Sequence, residues 1–183
     1  TLYHLTQEGW SDVVLVERND LTSGTTWHSA AQVTNFGMNQ TMVGLKTHSI
    51  KLYKELSEDP DHPINYNYGD GGIRLASTKE QIQGYHHFAS MARGMDVDFE
   101  VIDAKECQRR HPLISTKNLI GGLWDPLDGD IDPYQLCHAL TRKARQAGAE
   151  VSTNTPVTGL NQYKDGTWKV TTEHGDIACA III

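Results

Sequence analysis

Asp12-Val13-Val14-Leu15-Val16-Glu17 runs through Arg18-Asn19-Asp20-Leu21 into Thr22-Ser23-Gly24-Thr25-Thr26-Trp27-His28-Ser29-Ala30. The first stretch is an apolar run that ends in a single acid, the pattern of a fully buried parallel strand. A buried strand closing on a carboxylate, followed by small hydroxyl and glycine residues that lead to an indole and an imidazole, is how a chain holds a dinucleotide near a reactive ring. The segment predicts an α/β fold.

Upstream, Leu2, Tyr3 and Leu5 give a short helical face ending near Gly9, so residues 1–17 read as the second half of a βαβ unit. The glycine loop of a dinucleotide fingerprint lies about 20 residues before its acid. Counting back from Glu17 passes Thr1, and the run Ile177 to Ile183 ends without a polar residue or turn. The sequence is therefore expected to be a fragment at both ends, lacking its phosphate loop.

Downstream, Met42, Leu45, Ile50, Leu52, Tyr53 and Leu56 recur at mostly helical spacing through about Ser57. Gly71 to Ala76 alternates as a strand, and Thr78 with acidic Glu80 opens a helix reaching about Gly94. Val97 to Ile102 reads as a strand, Asp103 as the cap of a short helix ended by His111-Pro112, and Leu119 to Trp124 as another strand. Asp125 to Asp130 reads as a turn, Asp132-Pro133 as a helix start with its stop at Gly148, and Glu150 to Ile183 as three or four short strands.

Composition narrows the partners. A net charge of -7 argues against nucleic acid, whose binding needs clustered Lys and Arg. No stretch approaches the roughly 18 apolar residues of a membrane span. Cys107, Cys137 and Cys179 are odd in number, far apart and without a CxxC pair, which predicts reduced thiols in an intracellular setting and no zinc site. The chain starts with neither a secretory signal nor an Arg-rich transit peptide.

Glu17 can accept two hydrogen bonds from vicinal ribose hydroxyls, and Arg18 can lie along an adenine edge. Ser23, Gly24, Thr25 and Thr26 offer N–H groups and hydroxyls without bulk, suited to pyrophosphate or ribityl oxygens. A solvated turn at Glu17 and a plain capping loop after it would look much the same, and a lone histidine is more often structural than reactive. His86-His87 reads as a solvated helix face. Asp128, Asp130 and Asp132 lack the downstream glutamate of a calcium loop and read as turn and cap residues. Trp124, Trp168 and Phe99 read as core.

Glu17-Arg18, Leu21 to His28, Gly72-Ile73-Arg74-Leu75-Ala76, Asp128-Gly129-Asp130-Ile131-Asp132-Pro133-Tyr134 and Pro156-Val157-Thr158 stand in one order across nearly the whole chain. Together they resemble the dimethylglycine dehydrogenase and sarcosine dehydrogenase family, FAD enzymes of the D-amino-acid-oxidase-like type. The resemblance implies FAD bound covalently through His28, with Glu17 and Arg18 at the adenosine half. It places Gly24, Thr25, Thr26, Trp27, Ser29 and Ala30 around the pyrophosphate and flavin, and Val157 against the adenine through its backbone. Ala31 stands where many relatives have glycine.

The same resemblance implies oxidative demethylation of a small N-methyl amino acid by hydride transfer to flavin. No catalytic side chain and no metal ligand is assigned within this chain. An electron-transfer flavoprotein is the implied acceptor, and tetrahydrofolate enters only in a complete protein. An oxygen-using N-methyl amine oxidase of the methylaminobutanoate type, and a non-catalytic remnant of the fold, are the alternatives. The expected compartment is cytoplasmic in a bacterium and the mitochondrial matrix in a eukaryote. The expected architecture is a partial FAD-binding Rossmann-like domain, 1–38 and 131–183, interrupted by part of a mixed or antiparallel substrate domain, 39–130.

Overall fold

A computed structural model of the chain describes residues 1–37, 39–69, 71–94 and 97–183; Met38, at the expected domain boundary, lies outside the described residues. The chain divides into two compact units, one built from residues 1–29 and 133–183, the other from 30–132. The fold is mixed α/β, with one parallel and three antiparallel strand groupings among the described residues.

In the discontinuous unit, helix α1 (Leu2–Gln7) leads to strand β1 (Val14–Val16). After the return at residue 133 come helix α5 (Pro133–Gln146) and strand β8 (Glu150–Ser152). β1 and β8 pair in parallel, Val14 opposite Glu150 and Val16 opposite Ser152, so the two ends of the chain build one sheet. Pro133 opens α5 because its missing N–H falls where no intrahelical partner exists. Gly148, at φ +97°, closes it while Ala149 N–H reaches back to Ala144 O at 3.1 Å. Ala139, Thr141 and Ala144 form the buried stripe of α5. Strands β9 (Val157–Gln162), β10 (Trp168–Thr172) and β11 (Gly175–Cys179) follow as an antiparallel meander.

The continuous unit holds β2 (Gln32–Val33), α2 (Gln40–Ser57), β3 (Tyr66–Asn67), β4 (Gly72–Ala76), α3 (Lys79–Arg93), β5 (Glu100–Asp103), α4 (Ala104–Arg110), β6 (Gly121–Asp125) and β7 (Gly129–Ile131). Two antiparallel sheets result, ordered β2-β7-β3 and β4-β6-β5. Asn39 caps α2 by accepting from Met42 N–H, and Thr78 and Gln81 form a reciprocal capping box on α3. The core joins Val43 of α2, Phe88, Ala89 and Ala92 of α3, Val97, Phe99 and Leu123. Burying a side chain such as Phe99 stabilises the unit by about 1.5–3 kcal/mol. Gly129 lets β7 approach β3 closely, since a Cβ there would sit 1.9 Å from Asn67 O.

Several expectations need correction. β1 is parallel but only half-buried, because β8 is its one hydrogen-bonded neighbour among the described residues. β5 runs Glu100–Asp103, not Val97–Ile102; Val97 and Phe99 are spent on the core before the strand begins. Gly129 and Asp130 belong to a strand rather than to the turn. β2 and β3 are two residues each, too short to show any periodicity. Of the three aromatics read as core, Phe99 is fully buried while Trp124 and Trp168 are half-buried.

Candidate functional site

The end of β1 is held by backbone. Glu17 N–H donates to Ser152 O at 2.8 Å, Thr155 N–H donates to Glu17 O at 2.8 Å, and Asn154 N–H donates to Asn19 O at 3.0 Å. Asn154, at φ +52°, also donates through its side chain to Asp20 at 2.9 Å. The loops after β1 and β8 are thereby tied together, which fixes where Glu17 sits. One Glu17 oxygen accepts Asn19 N–H at 3.0 Å, leaving the other for an external donor. Cys137 of α5 is a close neighbour, its thiol pushed up by burial and then by the Glu17 charge. Arg18 is exposed.

Thr22 begins the hydroxyl-rich segment at φ +73°, a costly conformation for a β-branched residue and one that clusters at functional sites. Ser23 closes a turn onto Asp20 O through both N–H and hydroxyl. Gly24, at φ -96° and ψ -129°, is outside the helical and extended regions, and no atom crowds the position of a Cβ. Its glycine keeps the surface open. Thr25–His28 then form a single 3-10 turn, not an α-helix, packed against α5.

That turn presents Trp27, which is 76% exposed, and His28, also exposed. The His28 ring contacts Gly24 O through Nδ1 at 3.1 Å. A carbonyl only accepts, so Nδ1 carries the proton and the neutral ring keeps its lone pair on Nε2. Ser29 ends the first segment of the discontinuous unit, and Ala30 is the first residue of the other. Val157 opens β9 opposite Thr172, with 45% of its surface exposed. The discontinuous unit therefore carries Glu17, Arg18, Gly24, Thr25, Thr26, Trp27, His28, Ser29 and Val157, while Ala30 lies in the other.

The sequence reading missed a second polar cluster, in the continuous unit. Asp125 at the end of β6 is fully buried, and Asn35 is too. Burial, then the neighbouring Asp128 carboxylate, pushes the Asp125 carboxyl up to about 7. Asp128, read only as a turn residue, accepts Asn35 N–H at 3.0 Å. Arg74 donates to Thr34 Oγ1 at 2.6 Å and lies over the Phe36 ring at 4.3 Å. Burial, then Tyr68 and Tyr53, pushes the Tyr66 phenol up to about 12. A lone Arg in a strand and an Asp in a turn have no spacing that marks them as partners.

Among the described residues no helix is long and apolar enough to cross a membrane, and no group of three or more His, Cys, Asp or Glu could hold a metal ion.

Known proteins resemble this chain along its whole length. Human mitochondrial dimethylglycine dehydrogenase is 35% identical over 181 residues, covering 99% of this chain and 21% of that protein. Human mitochondrial sarcosine dehydrogenase is 34% identical over 189 residues, covering all of this chain and 20% of that protein. The chain thus spans about a fifth of the length of these curated relatives. Among solved structures, the L-proline dehydrogenase of P. horikoshii superposes with a TM-score of 0.89 at 23% identity, covering 98% of this chain and 47% of that one. The family profile described as FAD dependent oxidoreductase matches residues 1–183. The chain belongs to this family, the DAO family of FAD-dependent oxidoreductases.

Proposed function

We propose that the chain is part of an enzyme that oxidatively demethylates a small N-methyl amino acid of the dimethylglycine or sarcosine type, with FAD tethered to His28. The observation that carries this reading is the exposed His28 ring, held by Gly24 O so that the Nε2 lone pair is free, eleven residues past the acid that closes β1. The residues fit the cofactor: Glu17 keeps one carboxylate oxygen available for a ribose hydroxyl, and Gly24 leaves its surface uncrowded for a pyrophosphate. When bound, FAD supplies the hydride acceptor.

The chain's own groups bind and orient. Glu17 and Arg18 hold the adenosine half, Gly24, Thr25, Thr26, Ser29 and Ala30 line the path of the pyrophosphate and flavin, and Val157 meets the adenine through its backbone. Trp27 and His28 sit in one 3-10 turn, so the indole is carried next to the imidazole on the same short backbone segment. Residues 1–38 and 131–183 are assigned to the FAD-binding part and 39–130 to the substrate part. Two relatives named as mitochondrial support a mitochondrial location in a eukaryote, and an electron-transfer flavoprotein is the electron acceptor in this reading.

The test is made on the full-length protein. Acid precipitation is expected to leave yellow colour on the polypeptide, with a flavin-sized mass adduct on the peptide containing Trp27 and His28. His28→Ala is expected to keep the fold and lose the adduct, and dimethylglycine or sarcosine is expected to bleach the bound flavin. An adduct that survives His28→Ala overturns the tether, and a flavin that no N-methyl amino acid reduces overturns the substrate class.

A further inference from the structure

Antiparallel pairing sorts the side chains of β4 and β6 between two faces of their sheet. Gly72 lies opposite Asp125 and Arg74 opposite Leu123, and residues directly opposite project to the same side. Arg74, Leu123 and Asp125 therefore share one face. It is the buried face, because Leu123 belongs to the core with Phe88 and Phe99. Arg74 and Asp125 are diagonal neighbours on it, within reach of a long side chain. Gly72 adds no side chain there, and the Asp128 carboxylate takes the space, since a Cβ on Gly72 would collide with Asp128 Oδ2.

Residues 34–36 cross that face. Arg74 Nη2 donates to Thr34 Oγ1 at 2.6 Å and its guanidinium lies 4.3 Å from the Phe36 ring centre, while Asn35 N–H donates to Asp128 Oδ1 at 3.0 Å. Asn35 is 0% exposed and Asp125 1%. Asn35 Oδ1 accepts from Thr47 at 2.9 Å, and Asp125 Oδ1 accepts Leu127 N–H at 3.0 Å. Asn35 Nδ2, Arg74 Nε and Asp125 Oδ2 are buried without a protein partner. A buried polar atom left unpaired is costly, so three gathered on one face by strand register and by residues 34–36 require a shared partner.

The chemistry of the three atoms selects that partner. Two are N–H donors and the third is a carboxyl oxygen. A metal cation would stand against the Arg74 charge, and no group of three or more His, Cys, Asp or Glu among the described residues could hold one. An anion would stand against Asp125 and Asp128, and an apolar group would leave all three atoms unpaired. Water accepts from both nitrogens and donates to the carboxylate, and an internal water makes about three such bonds. We propose that the buried face of β4 and β6 carries an internal water site, bound by Asn35 Nδ2, Arg74 Nε and Asp125 Oδ2, which pins residues 34–36 to the sheet. Thr34 follows directly on β2, and β2 belongs to one sheet of the unit while β4 and β6 belong to the other. The water is thus a structural ligand that ties the two sheets together. The proposal does not depend on the cofactor reading, because every group in it belongs to the continuous unit.

The experiment is a crystal structure of the full-length protein at a resolution that shows ordered solvent. A solvent peak is expected within about 2.5–3.2 Å of Asp125 Oδ2 and of at least one of the two nitrogens. In solution, oxygen-17 relaxation dispersion counts the waters held long enough to be internal. Arg74→Met keeps an unbranched stem but removes the donors, and it is expected to lose one such water relative to the wild type. The wild-type map decides the matter even if the variant does not fold. A map in which no solvent peak joins Asp125 Oδ2 to either nitrogen, or a folded variant that keeps the full count, overturns the proposal.

Discussion

His28 Nδ1–H donates to Gly24 O at 3.1 Å, across one 3-10 turn of the same loop. The bond fixes both the ring's orientation and its tautomer, leaving Nε2 as the nucleophilic nitrogen. Under the proposed function, the flavin is expected on Nε2. Proteolysis of the full-length protein followed by NMR of the flavin peptide reads this directly, and attachment at Nδ1 would show that the loop rearranges before the bond forms.

Trp27 is mostly in water, so its removal strips little packing. Trp27→Ala is expected to shift stability by no more than about 0.5 kcal/mol. If the indole meets the cofactor, the same variant changes the flavin absorption and fluorescence of the full-length protein. A large loss of stability with an unchanged flavin spectrum would assign Trp27 to the scaffold instead.

Ala31 is held at φ +61°, where a Cβ costs about 1–2 kcal/mol and glycine pays only its extra chain entropy. Ala31→Gly is expected to raise stability by roughly 0.5–1 kcal/mol, seen as a higher urea midpoint with unchanged slope. The hydrogen bond from Ile131 N–H to Ala31 O uses backbone only and survives the change.

Glu106 sits between Arg109 and Arg110, at 2.7 and 2.6 Å, and Arg110 also reaches Glu100 at 2.7 Å while lying over the Trp124 ring. Hydrogen bonds from Arg109, then Arg110, hold the Glu106 carboxyl down at about 2. Its folded value is below its ordinary one, so its contribution is present above about pH 4.5 and lost as pH falls through about 2. Glu106→Gln is expected to flatten the acid limb of a stability-against-pH curve in that window. An unchanged limb would mean that solvent screens the network.

The parallel β1 strand, the three longest helices and the closing β-meander were legible because each has a periodic apolar face, a capping residue or a turn residue at its end. Thr78 and Asp103 cap the helices that their residue types predict, although Gln81 rather than acidic Glu80 completes the Thr78 box. What the sequence hid is non-local. β2 and β3 exist because β7 lies between them, and Asn35 reaches Asp128 across 93 residues. At the loop after β1, the residue types point to a dinucleotide, but the 3-10 turn and the Gly24 carbonyl that orients His28 follow from backbone angles that composition does not encode.

The side chains of Asn154 and Asp20 meet across a separation of 134 residues, beside the parallel pairing of β1 with β8. During synthesis β8, the partner of β1, is made only after the whole intervening unit, residues 30–132. The entropy of closing so large a loop grows only as about (3/2)RT ln n, so the delay is chiefly one of time rather than of final stability. The β1–β8 pair and the Asn154–Asp20 tie beside it thus form late in the making of this stretch, after the unit they enclose in sequence is complete.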